Sequence, residues 1–185
     1  MGKEDKKKRT QKQTGSKRKG REAAINDNII TNNTGYGVKC DYNSNYIDSI
    51  TMRNNTVRNC VNDGVYIGGA MDLSITDLSI ENPGDDGLYA NCNRNMTIKS
   101  PFSIKNVSGY GIYAYGPNFT IDNATITDCG KDAIYFSSGK SLTLKDSVLE
   151  TCRGGLLYDT ASCKRAGGNA RKERKMQKDH KRTRR

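Results

Sequence analysis

Met52, Ile75, Ile98, Ile121 and Leu144 recur at a fixed interval of 23 residues. A second series runs beside them: Val57, Ile80, Ile104, Ile126 and Leu149, with Ile30 as an earlier member. A third follows the second by eight residues throughout: Val38, Val65, Leu88, Ile112, Ile134 and Leu157. Three apolar registers held in step over five copies constrain the fold severely. A unit this short cannot bury its own apolar residues, so neighbouring units must stack and share one continuous core.

Each apolar beat has the period-2 alternation of a short strand. In the first strand the inward pairs are Ile50/Met52, Leu73/Ile75, Met96/Ile98, Phe119/Ile121 and Leu142/Leu144, with a Thr or Ser between each pair. In the second, Thr56, Ser79, Ser103, Thr125 and Val148 face outward. In the third the outward residues are Lys39, Tyr66, Tyr89, Tyr113, Tyr135 and Tyr158. Like sits over like, with Lys39 and Val148 as exceptions. Amphipathic helices do not fit, because each beat is short and Gly, Asn and Asp interrupt every unit. Asn32, Asn59, Asn82, Asn106, Asp128 and Thr151 form a turn row in which stacked amides can hydrogen-bond from unit to unit. One residue further come Cys60, Cys129 and Cys152, in step with Pro83 and Val107. These cysteines read as small apolar turn residues rather than a disulfide.

On these registers, the Asn row and the apolar-Tyr pairs, residues 28–160 resemble the right-handed parallel β-helix, the pectin-lyase-like fold. The fold class implied is all-β, a solenoid of about five to six coils flanked by disordered basic tails. Residues 22–27 are expected to make a brief cap turn. Little that is apolar follows Tyr158, so the last coil needs a covering partner or further coils, and an open ladder edge invites self-association.

The net charge of +11 hides a split. Residues 1–24 carry +7, residues 164–185 carry +9, and the rest carries −5. Both basic segments are nearly free of large apolar residues and are expected to stay disordered, on either side of a β-helix domain over 25–163. Clusters such as Lys6-Lys7-Lys8-Arg9 and Lys17-Arg18-Lys19 suit a polyanion, RNA or DNA included, through salt-sensitive backbone attraction. No apolar run approaches a membrane span, and no apolar segment of signal-peptide type follows the basic start. The fold's extracellular habit and these nuclear-type clusters point to different compartments, so localisation stays open. No cofactor motif is present. No cysteine pair has metal-ligand spacing, and the single histidine, His180, lies in the C-terminal basic segment, so no metal site is assigned.

Two groups of residues carry candidate chemistry. Asn62-Asp63-Gly64, Gly84-Asp85-Asp86-Gly87 and Gly109-Tyr110-Gly111 open the third strand on successive coils. They resemble the NTD, DD and GHG segments of polygalacturonases. The resemblance implies acid/base roles for Asp63, Asp85 and Asp86, with Asp63 and Asp86 sharing a register. Tyr110 stands where that family has its histidine, and Lys131-Asp132-Ala133 where Arg-x-Lys is expected. Asp and Gly at these positions are also ordinary turn chemistry. The second group is the row Tyr66, Tyr89, Tyr113, Tyr135 and Tyr158, with Tyr115 nearby. It reads either as a self-stacking ladder or as an aromatic face for sugar rings. The expected role is a non-catalytic, carbohydrate-contacting or surface-type module, with a fragment of a longer β-helix as one expectation. The alternatives are a degenerate glycoside hydrolase acting on an acidic polysaccharide, and a structural protein anchored to nucleic acid.

Overall fold

A computed structural model describes residues 20–41 and 47–159. Every element is a strand: β1 Glu22–Asn26, β2 Ile29–Thr31, β3 Val38–Cys40, β4 Ile47–Arg58, β5 Val65–Glu81, β6 Leu88–Val107, β7 Ile112–Tyr115, β8 Asn118–Cys129, β9 Ile134–Ser137, β10 Ser141–Lys145, β11 Val148–Glu150 and β12 Leu157–Asp159. All pairings are parallel, and the chain winds into a solenoid of about six turns.

The three expected registers are the ladder registers. Met52 pairs with Ile75, Ile75 with Ile98, Ile98 with Ile121 and Ile121 with Leu144. Val57 lies beside Ile30 and Ile80, and Leu88 beside Val65 and Ile112. Inward residues of the central coils, such as Ile75, Ile98 and Ile121, are wholly buried. At the first coil Ala23, Ile25 and Ile30 are only partly buried, and so are Leu144, Leu156 and Leu157 at the last. No further coil among the described residues covers either end.

Three expectations need correction. Residues 22–26 are not a cap turn. They form β1, which pairs with β4 and places Ile25 beside Met52 as a further member of the first series. Its offset of 27 hides it from a 23-residue count. The extra residues sit between Cys40 and Ile47, where the next coil needs only two residues between Ile67 and Ala70. β1 also begins inside the segment expected as a disordered tail, and Arg21 just before it donates its backbone N–H to Asp48 at 2.7 Å; residues 1–19 and 164–185 of the two tails lie outside the described residues. Finally, the middle coils do not consist of short separate strands. β5 runs 17 residues and β6 runs 20, because the ladder hydrogen bonds continue around the corners.

The corners explain the polar rows. Asn32, Asn59, Asn82, Asn106, Asp128 and Thr151 all have φ between 52° and 58°. In this left-handed region Asn and Asp are tolerated far better than most residues. Asn59 Nδ2 donates to Asn32 Oδ1 at 3.0 Å, Asn82 to Asn59 at 3.0 Å, and Asn106 to Asn82 at 2.7 Å. Thr151 Oγ1 donates to Asp128 Oδ1 at 2.7 Å. A second left-handed row comprises Asp27, Asn54, Asp77, Asn123 and Asp146. At its fourth coil the chain carries Ser100-Pro101, and the register shifts there between Lys99 and Phe102. The inserted residue accounts for the 24-residue step from Ile80 to Ile104.

Candidate functional site

The turn before the third strand repeats on every coil. Counting along the ladder, Tyr36, Asp63, Asp86, Tyr110 and Asp132 occupy one row, linked by Gly37 N–H to Asp63 O, Gly64 N–H to Asp86 O, Gly87 N–H to Tyr110 O and Gly111 N–H to Asp132 O. The next position is Gly37, Gly64, Gly87 and Gly111, then Ala133. Space dictates glycine here. A Cβ on Gly64 would lie 2.4 Å from Ile80 Cγ2, and one on Gly87 2.6 Å from Gly111 O.

Asp63 and Asp86 are buried and Asp85 is exposed; one carboxylate oxygen from each lies within 4.8 Å of the others. The structure thus brings together the three acids singled out from the sequence. Their first task is structural. Asp63 Oδ1 accepts the backbone N–H of Asp86 at 3.1 Å, and Asp86 Oδ1 accepts that of Tyr110 at 2.8 Å. Each buried carboxylate therefore fastens its turn to the next coil. Burial pushes the Asp63 carboxyl up to about 6; its bond from the Asp86 N–H opposes this, and the Asp86 and Asp85 charges add to it. Burial likewise raises Asp86, against the Tyr110 N–H. Lys131 lowers both. Its Nζ lies over the Tyr110 ring, 4.6 Å from the centroid. Lys131, which stands where the polygalacturonase resemblance expects Arg-x-Lys, thus extends back over Tyr110 toward the acids.

The acids adjoin the tyrosine row. The five expected rings form a continuous ladder of uneven geometry. Tyr66 and Tyr89 are stacked at 4.6 Å and 8°, and Tyr135 and Tyr158 at 4.8 Å and 6°. In between, Tyr89–Tyr113 and Tyr113–Tyr135 are tilted by 57° and 51°. The disruption comes from Tyr110, stacked on Tyr113 at 5.1 Å, and from Tyr115, edge-on to Tyr113 at 5.0 Å. The Tyr113 and Tyr115 hydroxyls share a hydrogen bond, which is the main cause of the raised Tyr113 hydroxyl. Tyr36 extends the ladder beyond Tyr66 at 5.3 Å, and Lys39 lies 4.9 Å from the Tyr36 centroid and 5.4 Å from that of Tyr66. The Lys39 exception in the sequence row is thus a cation on the aromatic stack.

Beside the tilted part of the ladder lies a cleft of about 420 Å³ lined by Tyr89, Asn91, Cys92, Asn93, Tyr115, Gly116, Pro117 and Ser138. Sequence reasoning reached Tyr89 and Tyr115 but not Asn91, Asn93 or Ser138; Asn91 pairs with Tyr115, and Tyr115 with Ser137, a row in which the residue type changes at every coil. Tyr36 was missed as well, although continuing the register of Asp63 by one coil would have reached it. Asp63, Asp85 and Asp86 are also the cluster of metal-ligating side chains found among the described residues. A hard cation such as calcium suits an all-carboxylate set, but Asp63 and Asp86 each commit one oxygen to the next coil.

No helix among the described residues is long and apolar enough to cross a membrane. No curated protein and no solved structure matches the chain. The family model described as the right handed beta helix region matches residues 63–166, a match that carries no likeness to polygalacturonases. With more than half its length inside that match, and with ladder registers that run on to the coils before it, the chain belongs to the right-handed β-helix family.

Proposed function

We propose that the protein is a non-catalytic β-helix module whose tyrosine face contacts an uncharged glycan at the cleft beside Tyr89 and Tyr115. The supporting observation is where the ladder opens. Parallel-stacked rings, as in Tyr66/Tyr89 and Tyr135/Tyr158, use their faces on one another. Tyr115 meets its neighbours only at 57° and 70°, so its face is not consumed that way. Beside it the amides of Asn91 and Asn93 and the hydroxyl of Ser138 line the cleft. An aromatic wall with a few polar groups is the pattern that orients a small ligand, and a sugar ring offers the matching apolar face and hydroxyl rim. The cluster of Asp63, Asp85 and Asp86 and the −5 charge over 25–163 disfavour a uronate polymer.

Affinity electrophoresis through gels containing neutral polysaccharides tests this reading. Tyr115→Ala is expected to weaken retardation at least about tenfold, while Tyr158→Ala, at the far end of the ladder, leaves it unchanged. Equal retardation of wild type and Tyr115→Ala would sink the proposal.

A glycoside hydrolase is the second reading, favoured by the elevated Asp63 carboxyl beside Asp86. The spacing disfavours an inverting enzyme, since oxygens within 4.8 Å are closer than the roughly 6.5–9.5 Å that leaves room for water, and lies nearer the roughly 5–5.5 Å of a retaining one. Release of reducing ends abolished by Asp86→Asn would establish it. On either reading the basic segments 1–24 and 164–185, of which 1–19 and 164–185 lie outside the described residues, add a polyanion contact, which retention on heparin before and after their removal measures.

A further inference from the structure

We infer that Cys129 and Cys152 form an oxidation-sensitive clasp between the last two coils, closed by a disulfide when a peroxide enters the neighbouring cleft. The pair stands on register. Val148, Leu149 and Glu150 pair with Thr125, Ile126 and Thr127. The ladder continues through the Thr151–Asp128 side-chain bond and the Arg153 N–H to Cys129 O bond at 2.9 Å. Cys152 therefore sits directly beside Cys129 at the strand spacing of roughly 4.8 Å. Both side chains are buried and face the same way, each thiol donating to a carbonyl two residues back in its own coil, Cys129 Sγ to Thr127 O at 3.8 Å and Cys152 Sγ to Glu150 O at 3.1 Å. The other members of this row on the described coils are Asn33, Cys60, Pro83 and Val107. Cys60 has no thiol neighbour in the row, so adjacent coils both present sulfur only at this one place among the described residues.

The two sulfurs are not equivalent. The adjacent Cys152 sulfur, and after it burial, raise the pKa of Cys129, while the adjacent Cys129 sulfur lowers that of Cys152. Cys152 is the better thiolate and hence the nucleophile. A cleft of about 440 Å³ opens onto the pair at Cys129; it is lined by Asn106, Val107, Ser108, Asp128, Cys129, Gly130, Thr151 and Arg153, the last two being the chain neighbours of Cys152. In the first step the Cys152 thiolate attacks one peroxide oxygen. An S–O bond forms, the O–O bond breaks, and hydroxide leaves to take up the Cys152 proton as water. In the second, the Cys129 sulfur attacks the Cys152 sulfenic sulfur. The S–S bond forms, the S–O bond breaks, and the hydroxyl leaves with the Cys129 proton as a second water. Two thiols are oxidised and one hydrogen peroxide is reduced.

The place gives the chemistry a consequence. β10, β11 and β12 hold the last coil only through β8 and β9, with no later described coil to cover Leu144 and Leu157. A covalent link at its corner opposes fraying and keeps the β8 edge closed to unwanted pairing.

The test uses the full chain. Purified reduced protein is treated with hydrogen peroxide, alkylated under denaturing conditions, digested and mapped by mass spectrometry, with amide exchange over residues 141–159 followed in parallel. The expected result is one cross-linked pair, Cys129–Cys152, four alkylated cysteines out of six, and exchange in 141–159 slowed at least about tenfold. Cys163→Ser should leave both readouts unchanged. Cys152→Ala should abolish the link and the slowing, with Cys129→Ala doing the same in case one variant misfolds. A cross-link involving Cys163, over-oxidation of Cys152 without a link, or a link that does not change exchange in 141–159 overturns the clasp.

Discussion

Replacing Asn82 separates the two contributions its corner makes to stability. Asn82 has φ 55°, donates to Asn59 at 3.0 Å and accepts from Asn106 at 2.7 Å. In Asn82→Ala both side-chain bonds vanish. The partners are exposed and can bond water instead, so each bond contributes near the lower end of the usual range, about 0.5 kcal/mol. Alanine also loses the tolerance that Asn has for the left-handed conformation, about 1 kcal/mol more. The expected loss is about 2 kcal/mol. Asn82→Gly removes the same bonds without the strain and should cost about 1 kcal/mol. Asn82→Asp keeps the conformation and still accepts from Asn106, but sets two acceptor oxygens together at Asn59, and should fall near the glycine variant. Urea unfolding followed by far-UV circular dichroism gives the three values, with tyrosine emission as a second probe because the chain has no tryptophan. Equal losses for alanine and glycine would refute the conformational argument. A loss below about 0.5 kcal/mol for alanine would refute the ladder itself.

The Asp63 carboxyl rises from 3.8 to about 6 on folding, so the native state binds its proton more tightly than the unfolded chain. Its contribution is present below about pH 4 and is lost as pH climbs through 6, and Asp86 shifts the same way. Asp63→Asn keeps an acceptor for the Asp86 N–H. It should flatten the stability profile between pH 4 and 6 and raise stability at pH 7 by about 1–3 kcal/mol in chemical denaturation. Gly87→Ala forces a methyl to within 2.6 Å of both Gly111 O and Ile104 Cγ2, and should cost about 1–3 kcal/mol or prevent folding, read by thermal unfolding. Ile98→Ala, in the wholly buried centre, should cost about 3–4 kcal/mol. Leu144→Ala, at the half-covered last coil, should cost about half that, so equal values would contradict an end left open by the described coils.

The candidate site was legible only in part. Asp63 and Asp86 were found because both lie on the 23-residue register, and the five tyrosines because they recur on it too. The register could not say that Asp63 and Asp86 each spend an oxygen on the next coil's backbone, since a turn cap and a catalytic acid look alike in sequence. Nor could it place Lys131 over Tyr110, which depends on a long side chain crossing between coils. Asn91, Asn93 and Ser138 stayed invisible because the cleft wall draws unlike residues from β6 and from the turn after β9, which leaves no periodic trace.

By itself the sequence determined the stacking. Once Met52, Ile75, Ile98, Ile121 and Leu144 keep a constant interval, only parallel in-register coils bury all of them, since a slip of one residue turns each apolar series toward solvent. Tertiary structure decided whatever the interval does not encode. It placed Ile25 in the core despite its offset of 27, because ladder pairing fixes position and loop length is free. It carried β5 and β6 unbroken around corners that the sequence shows as polar gaps, because neighbours on both sides keep the backbone bonded there. It opened the tyrosine ladder at Tyr113, where Tyr110 and Tyr115 compete for the same ring, a matter of where side chains meet in space rather than of spacing along the chain.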